Sequence, residues 1–238
     1  MIDKKRILVF TATYNEVDNI EILIKSIKTQ IPEPDILIID DNSPDGTANK
    51  VLKLQSAYKN IFLIVRKEKL GLDSAHKEAY EYSKENNYNL LITMDADLSH
   101  DPNVIKNFIL NLDTNPFVIG SRYVKGGDCL MKGRRLIISK YGNLLMKYLL
   151  RINCSEFTTS YRGFDLHKLK GFHLNQIKTK GYSFFMGTIV EIDKQKLPIK
   201  EIPIIFKDRS KGQSKIPRLE IFRTLKNLII LSIKKIMS

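Results

Sequence analysis

Four short apolar runs in the first hundred residues each lead into a polar turn and, after it, a segment with helical spacing. The runs are Arg6–Phe10, Asp35–Ile39, Ile61–Val65 and Tyr88–Met94. Apolar runs of this length, bounded by turn residues, predict buried strands. Four strand-loop-helix units in succession predict an α/β fold with a mostly parallel central sheet and helices on both faces. In such sheets, ligands bind beyond the carboxyl ends of the strands.

Charged residues stand where the predicted strands end. Three of the four ends are acidic, and the third carries cations instead. In chain order these residues are Glu16, Asp40, Asp41, Arg66, Lys67, Lys69, Asp95 and Asp97. A crevice that mixes carboxylates and cations is suited to a nucleotide diphosphate held partly through a metal ion.

Asp95 and Asp97 are the candidate metal ligands. Because side chains alternate along a strand, two aspartates two residues apart are expected to point to the same side. Two carboxylates at one place suit Mg²⁺ or Mn²⁺, with water and substrate phosphates completing the coordination. A lone Asp-x-Asp is also common in solvated turns. The chain contains neither Gly-x-Gly-x-x-Gly nor Gly-x-x-x-x-Gly-Lys-Ser/Thr, which argues against a dinucleotide enzyme and a P-loop NTPase.

Charge is divided unevenly along the 238 residues. Residues 1–115 carry 14 Lys and Arg against 18 Asp and Glu, whereas residues 116–238 carry 25 against 8. The overall charge of +13 is therefore a net −4 followed by a net +17. The basic half predicts an anionic partner, either phosphate groups or an anionic membrane. The acidic strand ends argue against nucleic acid.

Two basic segments show amphipathic helical spacing, one at about 132–152 and one at 216–238. Such helices lie on anionic membranes, although ordinary core helices with solvated edges share the pattern. No apolar run approaches the roughly 18 residues needed to span a bilayer, so we expect peripheral membrane contact and no transmembrane helix. Two cysteines without a CxxC motif, and no signal peptide, predict a reducing, cytosolic setting.

Five motifs, in order, resemble those of the dolichyl/polyprenyl-phosphate mannosyltransferases, inverting family 2 glycosyltransferases with the GT-A (Rossmann-like) fold. The motifs are Ala12–Glu16, Ile39–Thr47, Met94–His100, Gly120–Tyr123 and Asp208–Lys215. The resemblance runs from about residue 7 to residue 215, and implies a catalytic domain over 1–215 followed by a basic amphipathic helix over 216–238. It also implies transfer of a sugar, with GDP-mannose as the favoured donor, to dolichyl or polyprenyl phosphate at the cytoplasmic membrane face.

The resemblance assigns roles to individual residues. The nucleoside pocket would be lined by Ala12, Tyr14, Glu16, Ile39 and Asp41. Ribose, diphosphate and an Mg²⁺ or Mn²⁺ ion would be met by Asp95, Ala96 and Asp97, with Asp97 as the principal ligand and Ser99 as a further group beside the metal. The donor phosphates would be met by Arg122, Arg209 and Lys215, and the catalytic set would be Asp97, Arg122 and Arg209.

We further predict that three arginines bind the acceptor phosphate, because a guanidinium matches phosphate geometry with two parallel donors. These are Arg134, Arg135 and Arg162. A phosphate monoester is already an anion at pH 7, since its second pKa is near 6, so a dedicated catalytic base is optional. His100 is accordingly predicted to anchor a loop.

The chain departs from the family pattern at three positions. Glu156 stands where Asp is usual, Phe185 where Gln is usual and Gly187 where Glu is usual. The last two changes remove polar groups from a segment expected near the sugar or the acceptor, which weakens the prediction of mannose. The alternatives are a family 2 enzyme that uses a UDP-sugar (glucose or GlcNAc) or a glycan or other membrane acceptor, and a catalytically silent membrane- or nucleic-acid-binding protein. A membrane-anchoring partner subunit is a further expectation.

Overall fold

Strands and helices alternate through the first half of the chain, as predicted. The computed structural model describes residues 5–30, 34–207 and 220–237. The strands are β1 (Ile7–Thr13), β2 (Asp35–Asp40), β3 (Ile61–Val65), β4 (Leu90–Thr93), β5 (Phe117–Ser121), β6 (Asp128–Cys129), β7 (Arg162–Asp165), β8 (Ile199–Pro203) and β9 (Ile205–Phe206). The α-helices are α1 (Ile20–Gln30), α2 (Thr47–Ala57), α3 (Leu72–Glu85), α4 (Ile105–Leu112), α5 (Arg134–Leu150), α6 (Tyr182–Lys194) and α7 (Glu220–Ile236).

Seven strands form one sheet in the order β3-β2-β1-β4-β7-β5-β8. β1 pairs in parallel with β2 and β4, β2 with β3, and β5 with β8. Between β4 and β5, β7 runs antiparallel to both neighbours. The other six strands therefore end at one edge of the sheet, which we call the carboxyl edge, and β7 begins there. The predicted mostly parallel α/β sheet is confirmed.

Helices pack on both faces of this sheet. Leu8 and Phe10 of β1 belong to one core cluster, with residues of α3 and α6, while Val9 belongs to the other, with residues of α1 and α4. All three side chains have no exposed surface. A strand covered on both faces needs no polar side, which explains why β1 begins with a continuous apolar run, Ile7–Phe10.

The two predicted basic segments form α5 and α7, and α7 packs against both α5 and α6. Their inward side chains include Met146, Leu150 and Leu228, which are buried. Twelve of their other large apolar side chains are exposed and form what we call the α5–α7 face: Ile137, Ile138, Tyr141, Leu144, Leu145, Tyr148, Ile221, Phe222, Leu225, Ile229, Ile230 and Ile233. Each helix therefore packs one side inward and leaves apolar side chains outside the core. Among the described helices, none is long and apolar enough to cross a bilayer.

Candidate functional site

The two predicted metal ligands lie in a tight turn after β4. Because β4 ends at Thr93, strand alternation does not orient Asp95 and Asp97, contrary to the prediction. The turn is shaped instead at Leu98, whose φ of 64° lies in the left-handed region that branched residues rarely adopt. Burial lowers the pKa of His100, and the charges of both aspartates oppose that shift. Both carboxylates thus act electrostatically on His100, and one oxygen of Asp95 lies 3.8 Å from its Nδ1.

Each of the two carboxylates accepts a hydrogen bond from a different serine hydroxyl. Ser160 Oγ donates to Asp95 Oδ1 at 2.5 Å, and Ser99 Oγ donates to Asp97 Oδ1 at 2.6 Å. The Asp95 side chain is 32% exposed, whereas Asp97 is 5% exposed. Ser99 has no exposed surface. The structure therefore corrects the role predicted for Ser99, because its hydroxyl orients Asp97 and is not presented as a separate metal ligand.

Asp95 and Asp97 fit a divalent cation that shares its ligands with substrate. Within the described ranges, no group of three or more His, Cys, Asp or Glu side chains could hold a metal. Mg²⁺ is often bound through one or two carboxylates, with water and phosphate oxygens supplying the rest. A structural zinc ion, which takes four protein ligands, does not match this pair.

His100 is a neutral anchor of the same turn, as predicted. Its Nδ1 accepts a hydrogen bond from the Asp95 backbone N–H at 3.0 Å, so the ring proton lies on Nε2 and is directed at Thr159 Oγ1, 3.3 Å away. The ring is 1% exposed and stacks on Tyr161 with centroids 4.8 Å apart. A buried imidazole whose two nitrogens are both engaged is not available as a general base.

Arg122, directly after β5, is fixed by Glu156. Its Nε and Nη2 donate to the two Glu156 oxygens at 2.6 and 2.8 Å, and Nη2 also donates to Thr158 Oγ1 at 2.8 Å. Burial alone would lower the pKa of Arg122, but the Glu156 charge outweighs it and the pKa rises well above its usual value. Burial would raise the pKa of Glu156, yet Arg122 brings it below its usual value. Glu156, which is one methylene longer than the Asp usual at this position, thus forms a bidentate pair with Arg122.

The ends of β2 and β3 are joined by a second buried pair. Arg66 Nε donates to Asp41 Oδ1 at 2.5 Å, and Arg66 Nη2 donates to the Gly71 carbonyl at 3.1 Å. Asp41 also accepts a hydrogen bond from the Gly71 N–H at 3.3 Å. Asp41 lies at the carboxyl edge, as expected of a donor-site residue, and its carboxylate orders the loop that leads into α3.

The other residues predicted to line the nucleoside pocket divide into two groups. Tyr14 is covered by Lys69, whose Nζ lies 4.0 Å from the ring centroid. The half-buried members, which remain candidates, are Ala12, Tyr14 and Glu16. Ala96 is 4% exposed. Ile39 was placed wrongly, because its side chain has no exposed surface and belongs to the core cluster on the α3 side of the sheet.

A cleft of about 510 Å³ lies between the loop after β5 and helix α5. Its lining includes Arg122 at the carboxyl edge and, from α5, Lys140 and Lys147. Tyr141 and Leu144 also line the cleft, yet both are more than half exposed and belong to the α5–α7 face. The cleft therefore connects the carboxyl edge to that face and combines cations with apolar side chains.

Comparison with known proteins identifies the family. Residues 8–172 match the family model described as glycosyl transferase family 2. The chain belongs to glycosyl transferase family 2. The enzyme is therefore a glycosyltransferase, and the expected GT-A fold is confirmed.

This glycosyltransferase is 32% identical to two curated proteins. One is the undecaprenyl-phosphate mannosyltransferase of Micrococcus luteus, matched over 89% of this chain and 87% of that protein. The other is the polyprenol monophosphomannose synthase of Mycolicibacterium smegmatis, matched over 89% and 81%. Among solved structures, glucosyl-3-phosphoglycerate synthase from Mycobacterium tuberculosis, in complex with Mn²⁺, UDP-glucose and phosphoglyceric acid, has a TM-score of 0.69 at 16% identity. That match covers 97% of this chain and 79% of that protein, and shows the common fold.

The structure corrects the placement of Arg162 in the glycosyltransferase. Arg162 is the first residue of β7 and is 1% exposed, with Nε and Nη2 donating to the carbonyls of Thr159 and Phe157 at 2.9 and 3.2 Å. Burial lowers its pKa to about 9. Its guanidinium braces a loop from inside and has no surface to offer an acceptor phosphate.

The other predicted cations have different outcomes. Arg134 and Arg135 are exposed at the start of α5, outside the cleft lining. Lys140 and Lys147, which do line it, were not assigned from the sequence, although a spacing of seven residues places them on one side of a helix. Arg209 and Lys215 lie outside the described residues.

The two positions at which the chain lacks the family's polar residues, Phe185 and Gly187, lie inside the protein. Phe185 is 1% exposed and packs under Arg162, with the guanidinium carbon 4.9 Å from its ring centroid. A Cβ added at Gly187 would come within 2.3 Å of Thr179 Oγ1. The prediction that this segment lies near the sugar or the acceptor is therefore wrong for these two positions, because α6 directs them into the core.

Proposed function

We propose that this glycosyltransferase transfers mannose from GDP-mannose to a polyprenyl or dolichyl phosphate. The observation that carries the proposal is the cleft, which begins at the carboxyl edge and ends on an exposed apolar surface. An acceptor with an anionic head and a long hydrocarbon chain matches that combination. The names of the two curated relatives, each 32% identical over 89% of the chain, support the same acceptor class and sugar.

We assign the donor diphosphate to the turn after β4. Asp95 and Asp97 would hold an Mg²⁺ or Mn²⁺ ion, which supplies positive charge to the departing nucleotide diphosphate. At an effective dielectric near 20, a pair of unit charges about 4 Å apart interacts by roughly 4 kcal/mol, enough to influence the barrier strongly. Tyr14, Glu16 and Asp41 lie along the same edge and would contact the nucleoside. Arg209 and Lys215 keep their proposed roles at the phosphates.

The acceptor phosphate would enter through the cleft and act as the nucleophile. Its oxygen forms the new bond to the anomeric carbon while the bond to the nucleotide diphosphate breaks, which inverts the configuration. No proton has to be removed, since a phosphate monoester is largely ionised at pH 7. The buried, fully engaged His100 agrees with a mechanism that lacks a histidine base. Lys140 and Lys147 join Arg134 and Arg135 as proposed contacts of the acceptor phosphate.

The α5–α7 face would place the enzyme on the cytoplasmic surface of a membrane. Its apolar side chains are exposed on both helices; on the same two helices Lys140 and Lys226 are exposed and Lys147 is half-buried. Amphipathic helices bury such faces at the acyl boundary, and each nearby Lys or Arg adds about 1 kcal/mol on anionic lipid. Cys129 and Cys154 are both free, which agrees with a reducing compartment. A membrane-anchoring partner subunit remains a further proposal.

The test is transfer of radiolabelled sugar to polyprenyl phosphate in detergent, with GDP-mannose, UDP-glucose or UDP-GlcNAc as donor and Mn²⁺ or EDTA present. We expect labelled lipid from GDP-mannose alone, no product with EDTA, and at least a hundredfold loss, about 2.7 kcal/mol of barrier, for Asp97→Asn. Asp113→Asn, an exposed carboxylate beyond α4, is the matched control. Labelling from a UDP-sugar would replace the donor. Absence of lipid product with every donor would overturn the proposed acceptor.

A further inference from the structure

The loop formed by residues 156–161 lies beside the turn that carries Asp95. It leads directly into β7, and Arg162, the first residue of β7, is paired with Thr93 at the end of β4. Because β7 is antiparallel to β4, the residues before β7 are at the same edge as the residues after β4. Two consecutive loop residues, Thr159 and Ser160, reach across to the Asp95 turn.

Ser160 holds the carboxylate itself. Its Oγ donates to Asp95 Oδ1 at 2.5 Å, and the residue is 3% exposed. The Ser160 carbonyl in turn accepts a hydrogen bond from Thr93 Oγ1 at 2.5 Å. Ser160 is therefore held against the end of β4, the strand that precedes Asp95, and this contact fixes the Ser160 hydroxyl next to the Asp95 carboxylate.

Thr159 holds the backbone of Asp95 through a histidine. Its Oγ1 meets His100 Nε2 at 3.3 Å, and His100 Nδ1 accepts the Asp95 N–H at 3.0 Å. Thr159 is 5% exposed. Asp95 is consequently restrained at two points, its main chain and its side chain, by neighbouring residues 64 and 65 positions later in the chain.

We propose that Thr159 and Ser160 are positioning residues that hold Asp95 in place for the divalent cation. The inference rests on the proposed function, because it takes Asp95 as a metal ligand. A ligand whose orientation is fixed before the ion arrives has less freedom to lose on binding, and hydrogen-bonding partners of metal ligands typically change metal affinity by about 10–100-fold.

The experiment measures Mn²⁺ affinity of the full chain by electron paramagnetic resonance of the unbound ion, with GDP and, separately, with UDP present. Ser160→Ala removes the hydroxyl, and Ser83→Ala removes an equally buried serine hydroxyl whose partner is the Tyr80 carbonyl in α3. We expect Ser160→Ala to weaken Mn²⁺ binding about 10–100-fold and Ser83→Ala to leave it unchanged. Thr159→Val is expected to weaken binding, while Thr159→Ser, which keeps the hydroxyl, retains it.

Circular dichroism and melting temperature separate positioning from folding. If Ser160→Ala does not fold, the Thr159→Val and Thr159→Ser pair decides the question. A folded Ser160→Ala variant with wild-type Mn²⁺ affinity, alongside an Asp95→Asn variant that has lost it, would overturn this inference alone. Wild-type Mn²⁺ affinity in both Asp95→Asn and Asp97→Asn would overturn the proposed metal site, and this inference with it.

Discussion

Glu156→Gln is the most decisive test of how the carboxyl edge is stabilised. The Glu156 carboxylate has no exposed surface and accepts two hydrogen bonds from Arg122, two from Thr158 and one from Thr159. Glu156→Gln neutralises this carboxylate and leaves the Arg122 guanidinium without a counter-charge. Arg122 is 8% exposed, so solvent does little to compensate. Breaking a buried pair in this way costs about 3–5 kcal/mol.

That loss converts into a measurable change in melting temperature. For a chain of this size, each kcal/mol lowers the melting temperature by roughly 2–4 °C, so Glu156→Gln should melt roughly 6–20 °C below wild type. Scanning calorimetry gives the value, and urea unfolding gives the free energy independently. Asp113→Asn is the control, because it breaks an ion pair of equal length, Lys5 to Asp113 at 2.6 Å, on the exposed surface, where the cost is about 0–1 kcal/mol.

A double variant shows whether the stranded charge is the cause. Arg122→Met combined with Glu156→Gln removes the unpaired guanidinium, so it should be more stable than Glu156→Gln alone. The reasoning would be refuted if Glu156→Gln melted like Asp113→Asn, or if the second substitution added its own full loss. Either result would mean that the pair contributes little despite its burial.

Three further predictions concern the pH dependence of the Glu156 pair, the α5–α7 face and two glycines in helices. Because the folded protein lowers the pKa of Glu156, the stability that this carboxylate contributes is present above its unfolded pKa of about 4.3 and is lost as the pH falls through the lower folded value. Acid unfolding curves of wild type should therefore show a loss of stability in this pH range that Glu156→Gln lacks. Tyr148→Glu, at a residue 79% exposed on the α5–α7 face, should reduce sedimentation with anionic vesicles, whereas Leu110→Glu on α4 should not, and equal binding by both would contradict the assigned face. Gly187→Glu should lower the free energy of unfolding by about 1–3 kcal/mol, because the core has no room for the side chain. Gly142→Ala, in a helix with open space around the added Cβ, should raise it by about 0.5–1 kcal/mol. Urea unfolding measures both, and an unchanged stability for Gly187→Glu would contradict the packing.

The sequence predicted the strands and their ends because those features are local. The four parallel strands of the first half are mostly apolar, and polar residues follow each of them within a few positions, so Asp41, Asp95 and Asp97 could be placed at one edge without coordinates. The resemblance then supplied their roles. Orientation was less accessible, since Asp95 and Asp97 owe theirs to a left-handed turn at Leu98 and not to strand alternation.

Burial was the quantity that sequence reasoning missed. Arg162 was assigned to the acceptor phosphate because a guanidinium matches phosphate geometry, yet at the start of β7 it is buried in the core. Ile39 was assigned from the resemblance, which does not show that the residue is buried in the core. Lys140 and Lys147 were passed over because helical spacing gives a residue's side of the helix but not the cleft that it faces.

The antiparallel β7 has a consequence for how the chain acquires its fold during synthesis. Until residues 162–165 have left the ribosome, β4 is the last strand of an incomplete sheet, and its outer row of backbone N–H and C=O groups has no neighbour. β5 is synthesised before β7 and also lacks a pairing partner on that side until β7 is present. A nascent chain of about 150 residues therefore exposes an apolar strand edge, and the insertion of one four-residue segment both removes that aggregation hazard and assembles the site.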